Sequence, residues 1–196
     1  MFTKLNLRNQ KFLIFLIVLD LFMTASAIFV DWSDFFSVPW YLIPFVSICP
    51  LYPLLLAIVF WKFRRKGSFS QPLLHFTLMG IIGYGIMAYI FYPTFFVTRG
   101  FGWYELGNIF WVTIYASQAL LLIPYVKKIA FSWYIPFFSY FIVKDILDRF
   151  GGTFSYQRFE VFSTATSNFL FIMILSLHLF AGIFLMFLER RNSKYI

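Results

Sequence analysis

The chain has 196 residues, of which 61% are apolar and 12% charged, and its net charge is +8. A soluble domain of this size carries roughly twice that charged fraction, so the composition excludes an ordinary water-soluble globule. It also argues against nucleic acid as the partner of the positive charge, because the basic residues sit in short gaps between long apolar stretches.

A hydrocarbon core about 30 Å thick takes roughly 20 apolar residues per helix. Stretches of that kind recur near 12–30, 39–61, 73–92, 108–126, 129–147 and 166–188. The expectation is an all-α fold, a single polytopic bundle of six transmembrane helices. The first stretch follows Lys4, Arg8 and Lys11 and is interrupted by Asp20. A basic start, an apolar run and Ala25-Ser26-Ala27 also fit a cleaved signal peptide. Asp20 and an even number of spans favour a retained helix.

The second stretch is rich in proline, at Pro39, Pro44, Pro50 and Pro53. An interior proline removes a helix hydrogen bond and frees the carbonyl four residues back. Pro50 would free Val46 and Pro53 would free Cys49, and such groups must face protein or water. The second helix is therefore expected to be proline-broken, either lining a site or sealed by its neighbours. Cys49, the lone cysteine, permits no intrachain disulfide and no cysteine-based zinc site. It reads as a small buried residue. In the third stretch Gly80 and Gly83 share a face, which predicts central packing, since small residues admit close approach. The fifth ends in Lys144-Asp145-Ile146-Leu147-Asp148-Arg149 before Gly151-Gly152, and residues 149–165 are expected to form a loop. Asp145 and Asp148 read as capping, water-facing charges.

Twelve of the 16 basic residues fall at one set of alternate gaps: Lys4, Arg8, Lys11, Lys62, Arg64, Arg65, Lys66, Lys127, Lys128, Arg190, Arg191 and Lys194. Asp31, Asp34, Glu105, Asp145, Asp148 and Glu160 lie in or beside the other set. The positive-inside rule then places both termini in the cytoplasm and the protein in the cell membrane. The cations also suit anionic lipid heads. Trp32, Trp40, Tyr41, Trp61, Trp103, Tyr104, Tyr125 and Tyr195 fall at the interfaces, as aromatic belts do.

Counting at about 1.5 Å per residue from the cytoplasmic ends places Asp20, Tyr52, Tyr84, Gln118, Tyr140 and His178 at similar, near-midplane depth. An ionisable group there costs roughly 2.5–3.5 kcal/mol to insert and must find an inward partner. Asp20 and His178 form the lead pair, as a ligand site, a proton relay or an interhelical clasp. Two histidines on facing helices can ligate a b-type haem. His75 and His178, however, differ in depth by about 10 Å, so haem is a secondary alternative and no cofactor or metal is expected. The sequence lacks a metalloprotease His pair, a serine elbow and a phosphate loop. Asp145-x-x-Asp148 lacks the further residues of the lipid head-group transferase motif.

Pro39-Trp40-Tyr41-Leu42, Phe45-Val46 and Cys49-Pro50, together with Leu73-Leu74-His75, Tyr84-Gly85-Ile86 and the Asp145/Asp148 pair, resemble an uncharacterised prokaryotic membrane family catalogued as domain of unknown function 1405. The resemblance covers most of the chain but implies no activity. Some members are encoded beside respiratory quinol-oxidising complexes. The family pattern has an acidic residue where this chain has Ile48, a lysine where it has Gly83 and a histidine near Ile114. Joint loss of both members of an ion pair is tolerable where loss of one is not, which predicts that Ile48 and Gly83 face each other. The leading functional expectation is a non-enzymatic accessory subunit bound to a larger, respiratory membrane complex. The alternative is a small transporter or ligand-binding protein using the polar midplane around Asp20 and the broken second helix. An enzyme acting on lipid or quinone ranks third.

Overall fold

The structure is a computed structural model describing residues 7, 9–30, 32, 38–46, 48–150 and 162–192, without the side chains of Pro44, Val46, Ile48, Cys49 and Tyr104. Among the described residues every regular element is helical. These are α1 (Gln10–Val30), α2 (Ile43–Val46), α3 (Ile48–Lys66), α4 (Gln71–Arg99), α5 (Trp103–Leu122), α6 (Tyr134–Phe150) and α7 (Thr164–Asn192). Four segments are long and apolar enough to cross a membrane: Gln10–Val30, Gln71–Arg99, Glu105–Tyr125 and Thr164–Asn192. Of the predicted loop over 149–165, residues 149–150 complete α6 and 164–165 open α7, while 151–161 and the acids Asp31, Asp34 and Glu160 lie outside the described residues.

Local chemistry sets the helix ends. Asn9 caps α1, its Oδ1 accepting from the Lys11 amide at 3.0 Å and the Phe12 amide at 3.3 Å, which satisfies donors that an open helix end leaves bare. Gly67, at φ 66°, closes α3 with its amide on the Phe63 carbonyl at 2.7 Å, a left-handed cap that favours glycine. Pro50 falls in the first turn of α3 and Pro53 lies inside the helix. A first-turn proline costs little, because its missing N–H has no intrahelical partner to lose. How α2 joins α3 depends on residue 47, outside the described residues.

Several boundaries depart from the sequence reading: α5 begins at Trp103 rather than 108 and α7 ends at Asn192 rather than 188, and two others bear on the packing. α4 does not stop before Pro93 but runs on to Arg99. The continuation is supported by the Thr94 and Thr98 hydroxyls, which donate to the carbonyls four residues back at 2.7 and 2.8 Å. It is also supported by Phe91 packing edge-on against Phe162 at 5.4 Å. α6 begins at Tyr134 rather than 129, after a 3-10 turn over Phe131–Trp133, with Pro136 in its first turn.

α1 lies along α3, and α4 packs against α3, α5 and α7, while α6 packs on α7 and receives α2. Two contacts give the register of α1 on α3: Gln10 Oε1 accepts from Arg64 Nε at 3.1 Å, and the Thr24 hydroxyl approaches the Pro50 carbonyl at 3.5 Å. Both helices advance fourteen residues between these points, so they run antiparallel in step and Asp20 is level with Leu54. α4 is the central helix: 67% of its most apolar window is buried, against 28–33% for the other three candidate spans. That agrees with the face formed by Gly80 and Gly83. These glycines admit side-chain rings rather than a neighbouring backbone: Tyr52 of α3 lies over Gly80 and His178 of α7 over Gly83.

Candidate functional site

The ring of His178 is stacked on Phe141 at 4.6 Å and meets Tyr84 edge-on at 4.5 Å. That seat depends on Gly83, where a Cβ would fall 2.6 Å from Nε2. Held there, Nδ1 of His178 lies 2.7 Å from Asp145 Oδ2. The other carboxylate oxygen, Oδ1, accepts from the Tyr84 hydroxyl at 2.6 Å. Asp145 therefore ties α4, α6 and α7 together at one point. Bonds this short are the charge-assisted kind.

Lys144, the preceding residue, completes the cluster. Its ammonium donates to both oxygens of Asp148 at 3.0 Å and to the Phe45 carbonyl at 2.5 Å. It also lies 5.8 Å from the centre of the Tyr84 ring, within cation–π range. Lys144 is 0% exposed, Asp145 2% and His178 2%. The reading of Asp145 and Asp148 as water-facing caps is thus corrected. Lys144 and Asp148, four apart on a helix, share a face, and that face turns into the bundle. The carbonyl that meets Lys144 belongs to the proline-rich turn α2. Tyr84 stands 13 residues from the start of α4, Asp145 11 from the start of α6 and His178 14 from the end of α7. All three are therefore about 17–21 Å along their helices.

The six predicted midplane residues divide into two sites. Asp20 does not meet His178, as the lead pair required. It accepts instead from Gln118 Nε2 at 2.9 Å, because α1 lies on α3 while His178 faces α4 and α6. Tyr52 bridges the two regions, its ring 5.7 Å from Tyr84 and 6.5 Å from Tyr115. Its hydroxyl is buried without a hydrogen-bond partner. Tyr140 flanks the charged cluster, stacked on Phe45 at 5.4 Å.

His75 belongs to a third group. Its Nδ1 faces the Gln71 carbonyl at 2.8 Å and must carry the proton of that bond. Its Nε2 lies 2.9 Å from Glu189 Oε1, off the line of a well-directed hydrogen bond. The same oxygen accepts from the Tyr134 hydroxyl at 2.9 Å and the Ile129 amide at 3.3 Å. Beside it a cleft of about 520 Å³ is bounded by Lys128, Phe131, Met186 and Arg190. His178 is level with Gly83, eight residues or about 12 Å along α4 from His75. The structure does not bring the two histidines together across a shared haem plane. Among the described residues no three His, Cys, Asp or Glu side chains converge as a metal-binding set.

Sequence reasoning missed Lys144, Asp145, Asp148 and Glu189 as interior groups. The available signal was the Lys144/Asp148 spacing at the end of an apolar helix. Gly83 is filled by His178, so a lysine side chain could not occupy that seat alongside it. The side chain of Ile48, its expected counterpart, lies outside the described residues. Compared with protein-family models, curated proteins and solved structures, the chain matches none.

Proposed function

We propose that this chain is a six-span membrane protein of the small transporter or ligand-binding class, with its ion or ligand site at the cluster of Tyr84, Lys144, Asp145, Asp148 and His178. One observation carries the reading: ionisable side chains from three helices converge at mid-depth, with His178 Nε2 buried and lacking a hydrogen-bond partner. A clasp between helices needs one donor and one acceptor. Buried charge beyond that minimum is expensive in a bilayer and marks ion or substrate pathways.

The six-span count is supported by α3 and α6, whose 19 and 17 residues extend about 28 and 26 Å. Their charges depress their hydropathy, yet Lys144 and Asp145 are paired inside the bundle. Both termini in the cytoplasm, a cell-membrane location and a proline-broken second helix complete the proposal. They are supported by the basic gaps and by the α2 carbonyl that holds Lys144. The buried face of α1, at Leu13, Leu16, Asp20, Met23 and Thr24, supports a retained first span. Membership of the domain-of-unknown-function family rests on the sequence phrases alone. The accessory-subunit reading rests on the apolar outer surface, which acyl chains cover equally well.

The test is purification of the whole protein in mild detergent or nanodiscs, followed by native mass spectrometry. Expected is a protein that releases a small molecule, or is stabilised by a specific ion, with the effect lost in Asp145→Asn and Tyr84→Phe. A stable protein partner, no small ligand, and assembly unchanged in both variants would overturn the proposal in favour of a subunit.

A further inference from the structure

Asp20 and Gln118 meet between α1 and α5, two helices that share no extended packing. Asp20 is 0% exposed and Gln118 4%. One bond joins them, from Gln118 Nε2 to Asp20 Oδ1, while the remaining oxygen of each, Asp20 Oδ2 and Gln118 Oε1, is buried without a hydrogen-bond partner. Both orphaned atoms are acceptors, and each belongs to a group already fixed by the other. Two buried acceptors on one bonded pair are costly when bare. A single hydrogen between them satisfies both and completes a cyclic acid–amide pair.

We infer that Asp20 and Gln118 form a receptor for one proton, bound to Asp20 Oδ2 and donated to Gln118 Oε1. The step is a simple association: a proton from water forms the Oδ2–H bond, the carboxylate becomes a neutral acid, and no other bond changes. Among the described residues no charged side chain is seen to pair with Asp20. On its own helix Lys11 is more than two turns away. On α5 Glu105 is more than three turns from Gln118. On α3 the register places the first cation, Lys62, eight residues beyond the level of Asp20. Among the described side chains, the titratable groups that α3 and α5 bring to this region are the phenols Tyr52 and Tyr115, whose rings lie 6.5 Å apart.

A route for the proton lies next to the pair. Towards the C-terminal end of α1 the two helices part around a cavity of about 180 Å³, walled by Ser26, Ala27, Asn108 and Trp111. Met23 and Tyr115, three residues from Asp20 and Gln118 respectively, also line it. Asn108 Nδ2, buried in that wall, also lacks a partner. The cavity holds several waters by volume, at about 30 Å³ each. The cavity thus brings room for water to within about one helical turn of each member of the pair. This inference does not depend on the charged cluster of α4, α6 and α7 being a ligand site.

Infrared difference spectroscopy of the full-length protein in nanodiscs tests it. At neutral pH the wild type shows a protonated-carboxyl C=O band that is missing in Asp20→Asn. On a jump to alkaline pH it releases one more proton per chain than that variant. Asparagine supplies an N–H in place of the acid O–H, so Asp20→Asn keeps the fold. Gln118→Leu, a second probe, shifts the band to the position of a free, unbonded acid. A carboxylate signal from Asp20 persisting into acidic pH, or equal proton release from wild type and Asp20→Asn, overturns the inference. So does loss of the acid band on adding sodium at fixed pH, which would make the pair a metal-cation site.

Discussion

Replacing Gly83 by alanine isolates how closely the charged cluster is fitted. The new methyl carbon would lie 2.6 Å from His178 Nε2, well inside contact distance. The imidazole is pressed on Phe141 and Tyr84 and tethered to Asp145 through Nδ1, so it cannot swing away from the new methyl without loosening those contacts. Overpacking of this kind costs about 1–3 kcal/mol, and the weakened bond to Asp145 adds about 1–2 kcal/mol in a membrane setting. Alanine's higher helix propensity returns about 1 kcal/mol. The net expectation is a loss of roughly 1–4 kcal/mol. Gly85, two residues on, is the internal control. A Cβ there meets nothing nearer than the Ala116 methyl at 4.0 Å, so Gly85→Ala keeps the propensity gain and leaves stability equal or slightly higher. Denaturant titration in mixed micelles, followed by tryptophan fluorescence, measures both. Equal stability of the two variants, or a more stable Gly83→Ala, would refute the seating of His178 on α4.

Tyr84→Phe keeps the ring but removes the hydroxyl bond to Asp145. A loss of about 1–2 kcal/mol is expected, read by the same titration, together with loss of any bound ligand. Lys144→Met removes the buried ammonium that Asp148 meets at 3.0 Å and should cost about 3–5 kcal/mol. Adding Asp148→Asn should recover part of that, a coupling that a double-mutant cycle reports. Glu189→Gln leaves Tyr134 and the Ile129 amide with an acceptor but removes the charge facing His75. A loss of about 1–2 kcal/mol, with no change at the α4–α6–α7 cluster, is the expected result. Impermeant labelling of cysteines introduced at positions 33 and 67 should modify the first from outside the cell and leave the second protected. Equal labelling would remove the six-span orientation.

The amino-acid pattern determined the features that depend on local composition. Apolar runs of spanning length specified helices, because backbone groups in hydrocarbon can be satisfied only within the segment. Gly80 and Gly83 announced a central α4, since two small residues on one face leave room that something must fill. The depth count grouped Asp20, Tyr52, Tyr84, Gln118, Tyr140 and His178, of which all but the half-buried Tyr140 are buried. It could not choose their partners, because depth is one coordinate and the angle around the bundle is the other. Asp20 met Gln118, a neighbour 98 residues away in the chain, and His178 went to Asp145 because Gly83 opened a seat on α4.

The burial of Lys144 and Asp145 was the larger surprise. A charge near a helix end reads the same whether it faces water or the interior. Here the decision came from α2, whose Phe45 carbonyl is 99 residues from Lys144, and from Asp148 one turn on. Composition determined that four segments are long and apolar enough to cross a membrane. Tertiary packing alone decided which charges went into the interior together, because a buried ion is tolerable only where distant segments bring its counter-charge and its hydrogen bonds to the same place.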